Sequence, residues 1–281
     1  MTVASVQSLG ERVRDRGLRA SGKRALQRAL RTPLTVLAAP VLRQRTRRVS
    51  SIDDALDLAY GFSFAGVVFG PWQERSEIAG FLELVSQRAP RTVLEIGTSN
   101  GGSLFLLARV AAPDALIVSI DLPQGEFGGG YPRRRSVLYR AFGAHRQRIR
   151  LLRADSHDPW TLEAVRAALD GREVDVLFID GDHTYEGVKR DFEMYAPLVR
   201  QGGVIGFHDI VPPSPHGPTP RKHDDLLGGE VSRFWSEIRS GRDVVEFVED
   251  WDSGRFGIGA IMVDAVPGAS ETSRTRAGAR S

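Results

Sequence analysis

From Arg91 onward, short runs of β-branched and apolar residues alternate with segments of helical periodicity, and that alternation leaves few folds open. The runs are TVLEIG (92–97), ALIVSID (115–121), RIRLLRAD (148–155), VDVLFID (174–180) and GGVIGFHD (202–209). Helical patterns fall between them at 102–111, near 133–143, at 159–169 and at 184–199. Near-continuous apolar strands joined by helices imply right-handed βαβ units and a parallel sheet covered on both faces. VSRFWSEIR (231–239) reads as one more helix, and DVVEFVED (243–250) with RFGIGAIMV (255–263) as two more strands able to pair antiparallel at the sheet edge. The prediction is an α/β protein with a Rossmann-like, doubly wound, mostly parallel seven-stranded sheet. It places that domain at 71–266, an N-terminal helical extension at 1–70 and a small, polar, aperiodic tail at 267–281 that reads as disordered.

Composition narrows the chemistry. The 281 residues contain no Cys, which excludes disulfides, thiolate metal sites and Cys nucleophiles. Hydrophobic residues make up 41%, yet no apolar run is long enough to span a bilayer, and charge interrupts every candidate signal-peptide core. A cytoplasmic protein is the expectation. The net charge of +3 hides a basic arm: residues 1–50 hold 12 Arg or Lys and 2 acids, while the remainder is acidic. Val13, Leu18, Leu26 and Leu30 form a sparse apolar stripe within that arm. Two readings stay open for it: a surface helix on an anionic membrane or nucleic acid, or an extension that packs on the body or on a second subunit. Peripheral membrane contact through residues 1–50 and self-association through the helices are the partner expectations, with no nucleic acid expected.

In an open parallel sheet, ligands bind beyond the carboxyl ends of the strands, at the switch in strand order. All five parallel strands end in an acid here: Glu95, Asp121, Asp155, Asp180 and Asp209. A sheet needs no such rim for stability, because crowded carboxylates repel. In EIGTSNGGS, Gly97, Gly101 and Gly102 allow the backbone to pass close to a ligand, with Thr98 and Ser103 beside them. The spacing differs from G-x-G-x-x-G, which argues against a dinucleotide. Asp121 can accept both hydroxyls of a ribose. Asp155 and Ser156 can address an adenine edge, or Asp155 can cap the next helix. Asp180 and Asp209 end neighbouring strands roughly 5 Å apart, a spacing that calls for a cation or a shared proton. Oxygen ligands suit Mg²⁺, and an imidazole from His208 also accommodates Mn²⁺, Fe²⁺ or Zn²⁺. Asp182 or His183 could take a proton from a hydroxyl whose pKa the cation lowers. Asp182 could instead stabilise the turn after Gly181, and His183 could serve as a helix cap.

VLEIGTSNGGS, VSIDLP, LLRADS and LFIDGDHTYEGVKRDFEMYAPLVRQGGVIGFHD together resemble class I S-adenosylmethionine-dependent methyltransferases. The DGDH-to-HD block resembles the small-molecule O-methyltransferase group that includes macrolide-sugar, aminocoumarin-sugar and cephalosporin-pathway enzymes. The resemblance covers roughly residues 75–240. It implies that the Gly97 loop holds the methionine portion of the methyl donor, with Glu95 near its amino group. Asp121 would hold the ribose, and Asp155 with Ser156 the adenine side. It also implies a divalent cation on Asp180, His208 and Asp209, although His-Asp stands where several relatives carry two acids. The implied reaction is transfer of a methyl group to a small-molecule hydroxyl, with a sugar or glycosylated metabolite as the first candidate. Two other readings compete: a metal-dependent hydroxylase using His183, His208 and an Asp, and a non-catalytic cofactor-binding module docked through its basic arm. The Pro-rich stretch 211–230 and the segment 124–135 read as acceptor-binding loops, with Tyr131, Arg133, His216 and His223 as candidate contacts. FGPWQERSEI (69–78) reads as a cap over the cofactor cleft, in which Trp72 is either a cleft residue or plain core.

Overall fold

The computed structural model describes residues 31–123, 130–144, 146–214 and 229–264. The apolar stripe of the arm, residues 124–129, His216, His223 and the tail lie outside the described residues. A first helix, α1, covers residues 31–46. It is followed by α2 (Ile52–Gly61), α3 (Arg75–Ser86), β1 (Thr92–Ile96), α4 (Gly102–Val110), β2 (Leu116–Asp121), α5 (Arg135–Arg140), β3 (Arg148–Arg153) and α6 (Pro159–Leu169). Then come β4 (Val174–Ile179), α7 (Tyr185–Tyr195), β5 (Val199–His208), α8 (Gly229–Ile238), β6 (Val244–Phe247) and β7 (Ile258–Met262).

The helix starts follow local chemistry. Ser51 and Asp54 form a reciprocal capping box ahead of α2. Asp158 caps α6, with Pro159 in the first turn where its missing N–H costs nothing. The Thr184 hydroxyl accepts from Gly187 N at the start of α7. The pattern at 184–199 predicts a longer helix than forms. After Tyr195 a 3-10 turn carrying Pro197 ends α7, and Val199 already pairs with Val174 as the first residue of β5. The left-handed Gly202 (φ +73) accompanies a register shift that lets the strand resume against Val176.

The seven strands run β3-β2-β1-β4-β5-β7-β6. β1 to β5 are parallel, β7 is antiparallel to β5, and β6 is antiparallel to β7. The doubly wound, mostly parallel sheet is as expected, including its antiparallel edge. Strand alternation splits the core in two. Val93, Ile117, Val176, Phe178 and Val204 face one cluster, built with α1 to α5. Leu94, Ile96, Val118, Leu177, Ile179 and Phe207 face the other, built with α6, α7 and α8. Ala38 and Leu42 of α1 and Leu56 of α2 belong to the same cluster as Phe81 and Phe105, so the described part of the N-terminal region shares the core of the sheet. The order reverses between β1 and β4, where the chain turns from building one half of the sheet to building the other. The tips of β1 and β4 therefore flank the crevice.

Glu77 fastens the antiparallel edge. It is buried on α3, and its carboxylate accepts from Glu249 N (3.1 Å) and Gly257 N (2.9 Å), near the two ends of the β6–β7 connection. Glu77→Ala leaves both amides without an acceptor and is expected to cost about 2–4 kcal/mol of stability. Urea unfolding of the two proteins measures it, and a change below experimental error would refute the assignment.

Candidate active site

The site starts from a backbone crossing. Gly97 N donates to Ile120 O (2.9 Å) and Asp180 N donates to Ile96 O (2.8 Å), which ties the tips of β2, β1 and β4 together. Gly97 has φ +96, and a Cβ there would lie 1.8 Å from the Asp180 carbonyl oxygen. At the other end of the loop, a Cβ on Gly102 would lie 2.2 Å from Pro71 N. At Gly101 a Cβ would meet the Tyr139 ring at 2.6 Å. The expectation that these glycines make room for a ligand is thus amended: the side-chain space they forgo is filled by the protein's own chain.

Glu95 is also placed differently from expectation. It is fully buried at the β1–α4 junction, where Ser103 Oγ donates to Oε1 (2.7 Å) and Ser119 Oγ to Oε2 (2.6 Å). Thr98 Oγ1 joins this network through Ser119 Oγ at 2.5 Å. Burial pushes the Glu95 carboxyl up to about 8, against the pull of the two serines. Its carboxylate faces α4 and β2, with both oxygens taken. Asp121 ends β2, accepting from Ser99 N (2.6 Å) and Leu122 N (2.8 Å), and burial raises its pKa to about 6. Asp155 is exposed and accepts from His157 N, while the helix cap is Asp158. The Ser156 carbonyl accepts from Tyr195 Oη at 2.7 Å.

The strongest convergence is at the tips of β4 and β5. Asp180 Oδ1 lies 3.3 Å from His183 Nε2 and 3.1 Å from His208 Nδ1. Asp209 Oδ2 lies 3.2 Å from His183 Nδ1 and 3.4 Å from His208 Nδ1. Asp209 adopts φ +63, a left-handed conformation that Asp tolerates better than most residues. Burial opposes charge at Asp180, His183 and His208, yet the ion pairs prevail. Asp180 is held below the usual carboxylate range by His208 and His183. His183 is raised to about 9 by Asp180 and Asp209, and His208 is raised well above its ordinary value by the same two acids. Donor atoms of Asp180, His183 and Asp209 lie within 4.8 Å of one another, a set of oxygen and imidazole ligands that fits a divalent cation. His208 is almost wholly buried behind them, while His183 is the more open of the two imidazoles.

Asp182 does not join this cluster. Its Oδ1 accepts from Thr184 N at 2.9 Å, and its carboxyl group packs where a Gly187 side chain would be. It is the turn-stabilising residue ahead of α7. Tyr131 is core, edge-on to the Tyr139 ring. Trp72 is 68% exposed, which removes the core alternative. Sequence reasoning missed Gln73, whose Nε2 donates to Asp180 Oδ2 at 2.7 Å. Its place before the start of α3 gives it no periodicity, and only the crossing of its segment over the Gly97 loop reveals the contact.

A sheet in this order, with acids gathered along its carboxyl rim, defines a Rossmann-like methyltransferase fold. Residues 94–210 match the family model of a methyltransferase domain. That match runs from within β1 through β5 and takes in the helices between them, the stretch that carries the acids described above. The uncharacterized protein y4gI of Sinorhizobium fredii is 29% identical over 171 residues, 58% of this chain and 17% of y4gI. An uncharacterized protein of Acanthamoeba polyphaga mimivirus is 36% identical over 120 residues, 42% of this chain and 51% of the viral protein. The chain thus spans about half or less of the curated relatives it matches. Among solved structures, a Staphylococcus aureus protein assigned provisionally as a caffeoyl-CoA O-methyltransferase aligns with a TM-score of 0.52 and 18% identity, covering 80% of this chain and 99% of that one, a likeness of fold.

The raised Glu95 pKa has a consequence for stability. Because its folded value lies above the unfolded one, the stabilisation is complete below about 4.5 and declines as pH climbs toward 8. Glu95→Gln, which mimics the protonated acid, is expected to lose less thermal stability than the parent between about pH 5 and pH 8. Parallel melting-temperature profiles for the two proteins would contradict this.

Proposed function

We propose that the chain transfers a methyl group from S-adenosylmethionine to a hydroxyl oxygen of a small molecule, assisted by a divalent cation, Mg²⁺ first among candidates. The observation that carries this reading is the meeting of Asp180, His183, His208 and Asp209 at the crevice of a methyltransferase domain. Asp180 and Asp209 would hold the cation, with His183 the converging imidazole on the open side and His208 the one on the buried side. When bound, the cation supplies Lewis acidity that lowers the pKa of an acceptor hydroxyl.

The remaining work falls to the chain's own residues. His183, on the open side of the two carboxylates, would accept the hydroxyl proton only when a cation on Asp180 and Asp209 displaces the proton those acids now favour on its ring, whereas the Asp182 carboxylate is turned to Thr184 N. Asp121 at the tip of β2 would hold the donor's ribose hydroxyls, and the turn at Asp155 and Ser156 would face its adenine. The crossing segment at Pro71 and Gln73 shields the glycine loop from water on one side, which helps align donor and acceptor. A sugar hydroxyl of a glycosylated metabolite is the proposed acceptor, a choice resting on the resemblance of the DGDH-to-HD block. The match of residues 94–210 to a methyltransferase domain favours methyl transfer over hydroxylation at the same histidines.

Calorimetry with S-adenosylhomocysteine, with and without EDTA, tests the reading directly. Binding of the product is expected, and its absence would sink the proposal. Asp209→Asn is expected to keep that binding and to lose turnover. For His183→Gln, kcat should fall about 100-fold or more, with Mn²⁺ affinity little changed. A parallel loss of Mn²⁺ binding would move His183 from proton acceptor to ligand.

A further inference from the structure

Gln73 sits between α2 and α3, on the segment that crosses the β1–α4 loop. Pro71 rests against Gly102 at the far end of that loop, and Gln73 reaches Asp180, which abuts Gly97 at the near end. Tyr60 Oη donates to the Gln73 carbonyl oxygen at 2.6 Å and fixes the backbone there. The side chain is 4% exposed. A carboxylate oxygen only accepts, so the amide nitrogen must face Asp180 and the amide oxygen must turn away from it. That oxygen, Oε1, is buried and has no hydrogen-bond partner among the described residues. Buried polar atoms in folded proteins are nearly always paired, so an orphan acceptor beside a crevice marks the place of an absent donor.

The choice of donor follows from what surrounds it. The glycine loop is where the methionine end of the methyl donor belongs in the proposed reaction, and that end carries an α-ammonium with three N–H groups. Glu95 cannot receive it: the residue is sealed in the core and both its oxygens are engaged by Ser103 and Ser119. Asp180, in contrast, divides its carboxylate. Oδ1 faces His183 and His208, and Oδ2 faces Gln73.

Building on the methyl-donor reading, we infer that Gln73, together with Asp180, seats the α-ammonium of the donor's methionine end. Gln73 Oε1 accepts one N–H, and the negative charge of Asp180 lies next to the cation it attracts. Gln73 is thereby a donor-binding residue on a segment that lies outside the matched domain.

The test compares two ligands that differ only in that group: S-adenosylhomocysteine and its deamino analogue, which keeps the thioether and the carboxylate. Both are titrated calorimetrically into the parent protein, Gln73→Met and Gln73→Glu. The parent is expected to prefer S-adenosylhomocysteine by about 10- to 100-fold. Gln73→Met should shrink that preference several-fold by weakening S-adenosylhomocysteine alone, because Asp180 remains. Gln73→Glu, which keeps an acceptor oxygen and adds charge, should keep or widen it. A preference unchanged in Gln73→Met, or equal weakening of both ligands in a folded Met variant, overturns the role given to Gln73. If the Met variant does not fold, the Glu variant decides alone: a lost preference refutes the inference and a retained one supports it. Should the parent bind neither ligand, the methyl-donor reading itself falls, an outcome distinct from the failure of Gln73.

Discussion

The contact between Gly97 and the carbonyl of Asp180 is the constraint on which the site is built. Two strands far apart in the chain, β1 and β4, become neighbours where the sheet reverses its order, and their tips press together with no room for a side chain. That contact fixes where the loop to α4 begins and where Asp180 leaves β4. Had the first position of the loop carried even a methyl group, the tips would have to part, and Asp180 would turn away from Asp209. The glycine is needed by the protein's own packing before any ligand arrives, as is Gly102 beneath Pro71. Tight packing and ligand positioning are here two consequences of the same backbone approach.

Once the tips are fixed, electrostatics dictates what can stand on them. Two carboxylates at the ends of adjacent strands would repel if left alone. The fold answers with two imidazoles. His208, the last residue of β5, approaches from the buried side, and His183, from the turn before α7, from the more open side. Each histidine touches both acids, so the cluster is a closed ring of alternating charge. The positive charge of that ring comes from the two imidazoles, which the acids hold above their ordinary pKa. The left-handed backbone at Asp209 belongs to the same design, because local strain of this kind persists only where the surroundings enforce it.

Much of this was legible in the sequence because it is carried by periodicity. The five parallel strands, the antiparallel edge and the rim of acids all follow from apolar runs that stop abruptly at a charge. Asp121, Asp180 and Asp209 sit at or one residue beyond a strand end. The residues misjudged are those whose role depends on a direction in space. Glu95 looks like a rim acid but precedes the end of β1 by one residue, and in a strand one residue decides the face. Its side chain points to α4, inside the first core. Asp182 and His183 are neighbours in the sequence, yet one caps the turn and the other bridges two acids. Gln73 was invisible for a related reason: it sits in a segment without periodicity, and its partner is 107 positions away.

Those misjudgments share a physical cause that bears on function. In a doubly wound sheet, the carboxyl rim is assembled from tips whose mutual register the sequence does set, and from crossing segments whose path it does not. The segment at Pro71 and Gln73 precedes the first strand, yet it lies on the loop that follows that strand. It is held there by Tyr60 on α2 and by Asp180 on the far side of the crevice. Helices α1 and α2 share the core with α4, and α2 reaches the segment through Tyr60. Asp180 then lies on the border between two halves of the crevice, with one oxygen committed to the histidines and the other to the crossing segment. Anything that changes the charge on one oxygen is felt at the other through a single delocalised carboxylate. The crossing segment and the histidine cluster are thus joined by one side chain.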